Sequence, residues 1–519
     1  MKKNFVIHPF LFAIFPVLFL YSHNIAQALL SDTYLPAAIL LCCSIFIFLF
    51  FILIVRNSHK AGIITSVIFV LFFAYGNIAG VIESSNAEGV TVGKDHYLLP
   101  IWGLLIGGSI FFTIKTKKDL TNLGRILNLF ACFLVLFSLS KIILYEYQTR
   151  DTLAAHIQET GNSADNSNAD TVMPQALRDI YYIILDGYAS KSTLKDYYDH
   201  DNTEFLKFLT DRGFFIADKS FSNYAITGLS LSSSLNMEYV NYFSDMKYAG
   251  VLKNEMIANG KVIKFLKSKG YKYINFGSGH KPLENNKYAD MQYRYQLGNE
   301  FQMVLFKMTM LRSTESLKKY LIGNEIKNRI LFIFSRLETV PNIKGPKFIL
   351  AHIVSPHPPF VFDREGNMPP EITLEVFGNE FAEKDAYINQ LIFINKKVKE
   401  LIDELLEKSR LAPIIILQAD HGTLSSFGPH HYKDDASLGN WYRPNEYQLK
   451  ERMRIFNACY LPPDGSDLLY ETISPINTFR VIFNHYFDAN FELLKDESFY
   501  SYFKARYKFY NVTDQVKHD

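Results

Sequence analysis

The chain has 519 residues, 48% of them apolar, 15% aromatic and 20% charged, a composition that excludes a disordered polymer and suffices for two or three domains. Lys and Arg number 54 against 52 Asp and Glu, a formal charge of +2, so no basic surplus exists for a phosphate backbone and nucleic acid is excluded as a partner. Four cysteines in so long a chain cannot form a disulfide scaffold.

The mean hydropathy of +0.01 hides an uneven distribution. Five apolar stretches crowd the first 147 residues, from Pro9 to Tyr21, Leu35 to Val55, Gly62 to Ile82, Tyr97 to Ile114 and Ile126 to Leu144. Most approach the ~20 residues that a helix needs to cross ~30 Å of hydrocarbon, so a membrane α-helical bundle of five spans is predicted over residues 1–148. The first stretch is the shortest. Lys2 and Lys3 before it and Ala26-Gln27-Ala28 after it also fit a signal peptide, although four further spans follow closely. Cations mark alternate loops: Lys2 and Lys3; Arg56 and Lys60; Lys115, Lys117, Lys118 and Arg125. Residues 22–34 have neither Lys nor Arg, and 83–96 have only Lys94. The positive-inside rule then puts the amino terminus in the cytoplasm and everything after Tyr147 outside the cytoplasmic membrane. Three cysteines, Cys42, Cys43 and Cys132, lie in the spans, which leaves Cys459 alone beyond them, in an apolar run that predicts a buried, inert thiol.

Residues 149–178 include the polar run Gly161–Asp170 and read as a flexible linker. An exported domain follows over 179–519. Its apolar runs at 180–185, 271–276, 347–353, 413–417 and 454–461 alternate with helical patterns and predict a parallel sheet covered on both faces, an α/β sandwich. Residues 381–409 carry the apolar stripe of an amphipathic helix leading into the strand at 413.

Ligands of open α/β sheets bind beyond the carboxyl ends of strands. Three strands here run into ionisable residues: Asp186-Gly187; Ser355-Pro356-His357-Pro358-Pro359-Phe360; and Asp420-His421-Gly422. Carboxylates and imidazoles on one sheet edge are the donors a divalent cation takes. Singly each is weak, because Asp-Gly after a strand is most often a turn and a histidine between prolines can simply shape a loop. Thr227 opens a Ser-rich helical pattern as an N-cap or first-turn residue; its hydroxyl beside a cation would be an activated nucleophile, and the first-turn amides would hold an anion. His352, inside an apolar strand, reads as a core histidine, and His280 as a loop histidine.

In this order and spacing, strand-Asp-Gly, Asn223-Tyr-x-x-Thr227 before a Ser-rich helix, Ser-Pro-His-Pro-Pro-Phe and Asp-His-Gly resemble the alkaline phosphatase/sulfatase superfamily. Five spans before an exported domain are similar to its lipoteichoic acid synthase and lipid A phosphoethanolamine transferase branch. The resemblance covers about residues 179–487. It implies a metal-dependent enzyme with Asp186, Asp420 and His421 as ligands of Zn or Mn, and Thr227 as both ligand and nucleophile. His357 would contact the substrate phosphate, and His430 or His431 would be a further substrate or second-metal histidine; which of the last two matches stays open. It further implies transfer of a phospho-alcohol headgroup from a membrane phospholipid donor to an envelope glycan or lipid acceptor through a phosphothreonine, with a hydrolase or a non-catalytic assembly factor as the alternatives. Asp186 departs from the Glu of those transferases, and their substrate-contact motifs are not recognisable. Ser474–Arg480 looks like the closing segment of sulfatase-like membrane proteins. The Cys/Ser-x-Pro-x-Arg pentapeptide of type I sulfatases does not occur, since Cys459-Tyr-Leu-Pro462 has its proline one place late. Sulfate-ester hydrolysis through formylglycine is thereby disfavoured.

Overall fold

In the computed structural model the described residues are 5–25, 28–85, 95–162, 177–246, 248–295, 300–314, 317, 322–370, 383–427, 444–462, 465–502 and 505–517. They divide into two units, one of Met1–Ala154 with Leu297–Ile322, the other of Ala155–Gln296 with Gly323–Asp519.

The first unit is helical. Four helices are long and apolar enough to cross a membrane: Leu30–Val55, Ser58–Ile82, Tyr97–Lys115 and Thr121–Thr149. The expected fifth span, His8–His23, has 16 residues. At 1.5 Å per residue it rises about 24 Å, short of the hydrocarbon thickness, so four spans rather than five meet the length criterion. Its Ala13, Val17, Leu20 and Tyr21 are nonetheless buried against Phe69 and Phe73 of the Ser58–Ser85 helix. Large side chains such as Leu53, Leu104 and Leu129 stay exposed on the unit's surface, which suits lipid. The last helix continues to Asn162, so the linker read from residue 149 is helical over its first part; residues 163–176 lie outside the described set. Sequence reading places 297–322 in the exported domain, yet this segment groups with the first unit. Its helix Glu300–Lys307 buries Phe301 and Leu305 in the bundle core, and Gly76 N–H donates to Met308 O at 3.1 Å.

The second unit is an α/β sandwich on a seven-stranded sheet of order β2-β7-β6-β1-β5-β3-β4. These strands are β1 Ile180–Leu185, β2 Phe215–Ile216, β3 Lys272–Phe276, β4 Met291–Tyr293, β5 Lys347–Ile353, β6 Ile414–Gln418 and β7 Asn457–Tyr460. The pairs β1–β5, β1–β6, β3–β5 and β3–β4 are parallel. Strand β7 departs from the expected all-parallel sheet: it pairs antiparallel with β6 and carries the short edge strand β2, also antiparallel. Every residue of β1, β5 and β6 is buried, because alternate side chains enter two cores. Tyr181, Ile183 and Leu185 pack on one face with Leu391, Ile394, Val398 and Leu401 of the helix Lys384–Lys408. Ile180, Tyr182 and Ile184 pack on the other with Phe479, Ile482 and Phe483 of the helix Pro475–Phe487. A two-stranded antiparallel ribbon, β8 Phe499–Tyr502 and β9 Ala505–Asn511, closes the chain.

Cys459 lies on β7 with its thiol pushed up to about 12 by burial. It should resist maleimide in the folded protein and react only on denaturation, in a thiol-labelling time course; labelling before unfolding would contradict its burial.

Candidate functional site

Strand β1 lies between β5 and β6, so three carboxyl ends meet at one edge, and each carries an ionisable side chain forward. Asp186 follows β1, His357 follows β5, and Asp420-His421 follows β6. The order of pairing, not sequence proximity, gathers them. His421 Nε2 lies 3.5 Å from Asp186 Oδ1 and 3.3 Å from Asp420 Oδ2. Ligand atoms of Asp186, His357 and His421 lie within 4.8 Å of one another, as do those of Asp186, His352 and Asp420.

Thr227 is the first residue of the helix Thr227–Ser234, with Ile226 in the capping position. Its hydroxyl therefore does not cap the helix; Oγ1 lies 3.1 Å from His421 Nε2. The same helix is fixed to the metal-ligand loop by Ser230, whose hydroxyl donates to Asp420 O at 2.7 Å. Thr227 and His357 are partly exposed, while Asp186, Asp420 and His421 are buried. His421 Nδ1 is 3.0 Å from Gly422 O, and His357 Nδ1 is 2.7 Å from Pro358 O. Only a protonated nitrogen can donate to a carbonyl, so this network places a proton on Nδ1 in both rings, and at His421 it turns Nε2 to Thr227, Asp186 and Asp420.

The electrostatics follow from that crowding. Burial raises the pKa of Asp186, but His357, His352 and His421 outweigh it and hold the carboxyl well below the usual carboxylate range. Burial and the Asp186 charge push Asp420 up, against opposing effects of His352, the Thr227 hydroxyl and Arg452. Burial and the Arg452 charge hold His421 well below an ordinary imidazole. Asp186 Oδ1 and Asp420 Oδ2 are buried and have no hydrogen-bond partner among the described residues. Two buried, unsatisfied carboxylate oxygens beside the His421 imidazole are costly alone and are the donors a divalent cation needs, so the residues fit such an ion.

Sequence reading missed several residues that hold this site. His352, read as a core histidine, places Nε2 3.2 Å from Asp186 Oδ2 and Nδ1 3.1 Å from Ser278 Oγ. His280, read as a loop residue, has a buried Nε2 without a partner among the described residues, and burial, Lys253 and His352 depress it to about 3. Arg452 joins the nucleophile loop to the Asp-His-Gly loop: Nε donates to Ala225 O at 2.9 Å and Nη1 to Gly422 O at 2.8 Å. Beside it, the buried Glu451 accepts from Thr423 Oγ1 at 2.8 Å and Ser426 N at 2.9 Å, shaping the chain after His421. Gly422 is required because a Cβ there would stand 2.2 Å from Glu451 O. Asn223 donates from Nδ2 to Ser474 Oγ at 2.9 Å and accepts at Oδ1 from Ile476 N–H, also at 2.9 Å, so the closing segment buttresses the loop leading to Thr227. Arg452 and Glu451 gave no local signal, since their partners lie about 25 to 230 residues away. His430 and His431 lie outside the described residues.

An α/β sandwich with carboxylates, imidazoles and a helix-borne hydroxyl at the carboxyl rim of its central strands defines the class. The Sulfatase family model matches residues 178–444, more than half of the chain, and the protein belongs to that family, as an enzyme of the alkaline phosphatase superfamily. No curated protein matches the chain. Among solved structures it is similar to the C-terminal periplasmic domain of EcEptC from Escherichia coli in complex with Zn (15% identity, 60% of this chain and 82% of that one covered, TM-score 0.39). It is also similar to the integral membrane lipooligosaccharide phosphoethanolamine transferase A from Neisseria meningitidis (13%, 91% and 94%, TM-score 0.37). A third is a protein in the alkaline phosphatase superfamily from Vibrio parahaemolyticus (10%, 64% and 74%, TM-score 0.36). At such distances the functional reading rests on the chain's own residues.

Proposed function

We propose that the chain is a membrane-embedded, metal-dependent phosphotransferase that moves a phospho-alcohol headgroup, of phosphoglycerol or phosphoethanolamine type, from a phospholipid donor to an envelope glycan or lipid. The observation that carries this reading is the partly exposed Thr227 hydroxyl standing 3.1 Å from the lone-pair nitrogen of His421, against two buried carboxylates. Asp186, Asp420, His421 and Thr227 would hold a Zn or Mn ion, whose charge lowers the pKa of the threonine alcohol.

As the Thr227 Oγ1 bond to phosphorus forms and the P–O bond to the lipid breaks, the threonine proton passes to the departing lipid oxygen, which leaves as the alcohol. His357, partly exposed and with a ring nitrogen within 4.8 Å of ligand atoms of Asp186 and His421, holds a phosphate oxygen or passes a proton to the leaving group. The acceptor hydroxyl then attacks the phosphothreonine and restores the free alcohol. His430 and His431 belong to this reading as substrate contacts. After incubation of the full-length protein with membrane lipids, mass spectrometry should find Thr227 carrying a phospho-alcohol adduct; an unmodified Thr227 under turnover conditions would remove the covalent intermediate.

The reading places the amino terminus in the cytoplasm, the helices in the cytoplasmic membrane and the catalytic domain outside. Five crossings separate the two ends of the helical region, whereas four put them on one side. Alkaline-phosphatase reporters fused after Lys3 and after Thr149 should be inactive and active respectively; equal activity would mean that His8–His23 does not span.

A further inference from the structure

After β4 the chain re-enters the helical unit. Phe301 and Leu305 of the helix Glu300–Lys307 are buried with Val17 and Leu20 of the first helix and with Phe69 and Phe73 of Ser58–Ser85. Just beyond, Met310 packs on Tyr75 and Trp102. Main chain joins this seat as well: Gly76 N–H donates to Met308 O at 3.1 Å, and Arg312 Nη1 donates to Gly76 O at 3.2 Å. Glycine is required at 76, because a Cβ there would stand 2.1 Å from Lys307 O and 2.6 Å from Met308 C.

The seat lies at membrane depth. Gly76 stands six residues before Ile82, the end of the span Ser58–Ile82, which is about 9 Å of helix rise inside it. Non-helical backbone is tolerated at such depth only where the protein itself meets its polar groups. In the turn that follows Lys307 they are met. Gly76 N–H serves Met308 O, the Thr309 hydroxyl donates to Phe306 O at 2.7 Å, and Thr309 Oγ1 accepts from Leu311 N–H at 3.2 Å.

Resting on the placement of the helices in the membrane and of the second unit outside it, we propose that residues 297–322 are a second membrane anchor of the exported domain, seated in the outer half of the helical bundle. Chain length gives the anchor its effect. Asn162 and Ile180 are eighteen residues apart and allow about 60 Å of extended reach, whereas Tyr293 and Glu300 are seven apart and allow at most about 25 Å. Strand β4 is parallel to β3, β3 to β5 and β5 to β1, so the shorter connection leaves the same carboxyl edge that carries Asp186 and Asp420. It keeps that edge within reach of a phospholipid donor that does not leave the bilayer.

The test uses the full-length protein in lipid nanodiscs, with a specific protease site inserted after Asn168. After cleavage the exported fragment should co-elute with the nanodiscs in size-exclusion chromatography, although no covalent bond then joins it to the spans. Gly76→Leu, which drives a side chain against the Lys307 carbonyl, should release it, and so should Phe301→Asp combined with Leu305→Asp. The fragments released from the two variants should unfold at the same temperature. Release of the wild-type fragment would overturn the anchor, and retention in either variant would overturn its seat in the bundle. A lower thermal midpoint for the doubly substituted fragment would assign Phe301 and Leu305 to the domain's own core and overturn the proposal too. Co-elution requires no turnover. Failure of the transferase reading would appear instead as an absent Thr227 adduct, and failure of the topology as equal activity of the reporter fusions.

Discussion

Thr227→Ala in the full-length protein should lower turnover by about four to six orders of magnitude, the scale seen when a nucleophile is removed. It should also abolish any covalent adduct while leaving the fold and metal content close to wild type. The side chain is partly exposed and caps no helix, so its loss opens no buried cavity and orphans no backbone amide. The Thr227 hydroxyl contacts His421 Nε2, and His421 remains fixed without it through Nδ1 and Gly422 O. Thr227→Ser, which keeps the oxygen, should retain a measurable fraction of activity. Measuring turnover and intact mass in the three proteins separates the roles. Full activity in the alanine variant would exclude Thr227 as nucleophile, whereas lost activity together with lost metal would make it a ligand only.

The second large effect concerns the two carboxylates. Without a cation, Asp186 and Asp420 share a buried space: burial and the Asp186 charge push Asp420 up, while His357, His352 and His421 outweigh burial at Asp186 and hold it low. Adding Zn or Mn to chelated protein should therefore stabilise it. At a hundred times the dissociation constant the gain is about 2.7 kcal/mol, on the order of 5 °C in thermal midpoint. Asp420→Asn keeps the oxygen that accepts from Gly187 N–H at 3.2 Å but removes a charge. The metal-free variant should accordingly be at least as stable as wild type while losing the metal response and the activity. The pH dependence has a definite sign. The folded pKa of Asp420 lies above that of an unfolded carboxyl, ~3.9, so its contribution is present below that value and is lost as pH rises through the folded pKa. The stability difference between wild type and Asp420→Asn in chelator should thus grow with pH above about 4. A metal-free variant less stable than wild type, with no such trend, would mean that the carboxylates are structural.

The sequence by itself determined the apolar helices, the sandwich class, the five main strands and the residues at their ends, because each signal is local. Continuous runs such as Ile180–Leu185 have no amphipathic alternation and must be buried on both faces. Asp186, His357, Asp420 and His421 follow those runs directly, and a polar group after a buried strand stands at the sheet edge. Motif order supplied Thr227.

Tertiary structure decided what depends on pairing and distant contacts. That β7 runs antiparallel is set by its partner β6. That His352 joins the site follows from β5 lying beside β1, so that Ile184 faces His352 in register. Residues 297–322 read as part of the exported domain because nothing in their composition shows that Phe301 and Leu305 are buried in the helical unit. Arg452, Glu451 and Lys253 stayed silent for the same reason. A lone charged residue in a helical segment looks solvated until the fold shows its surroundings, and only there does burial make the charge demand a partner.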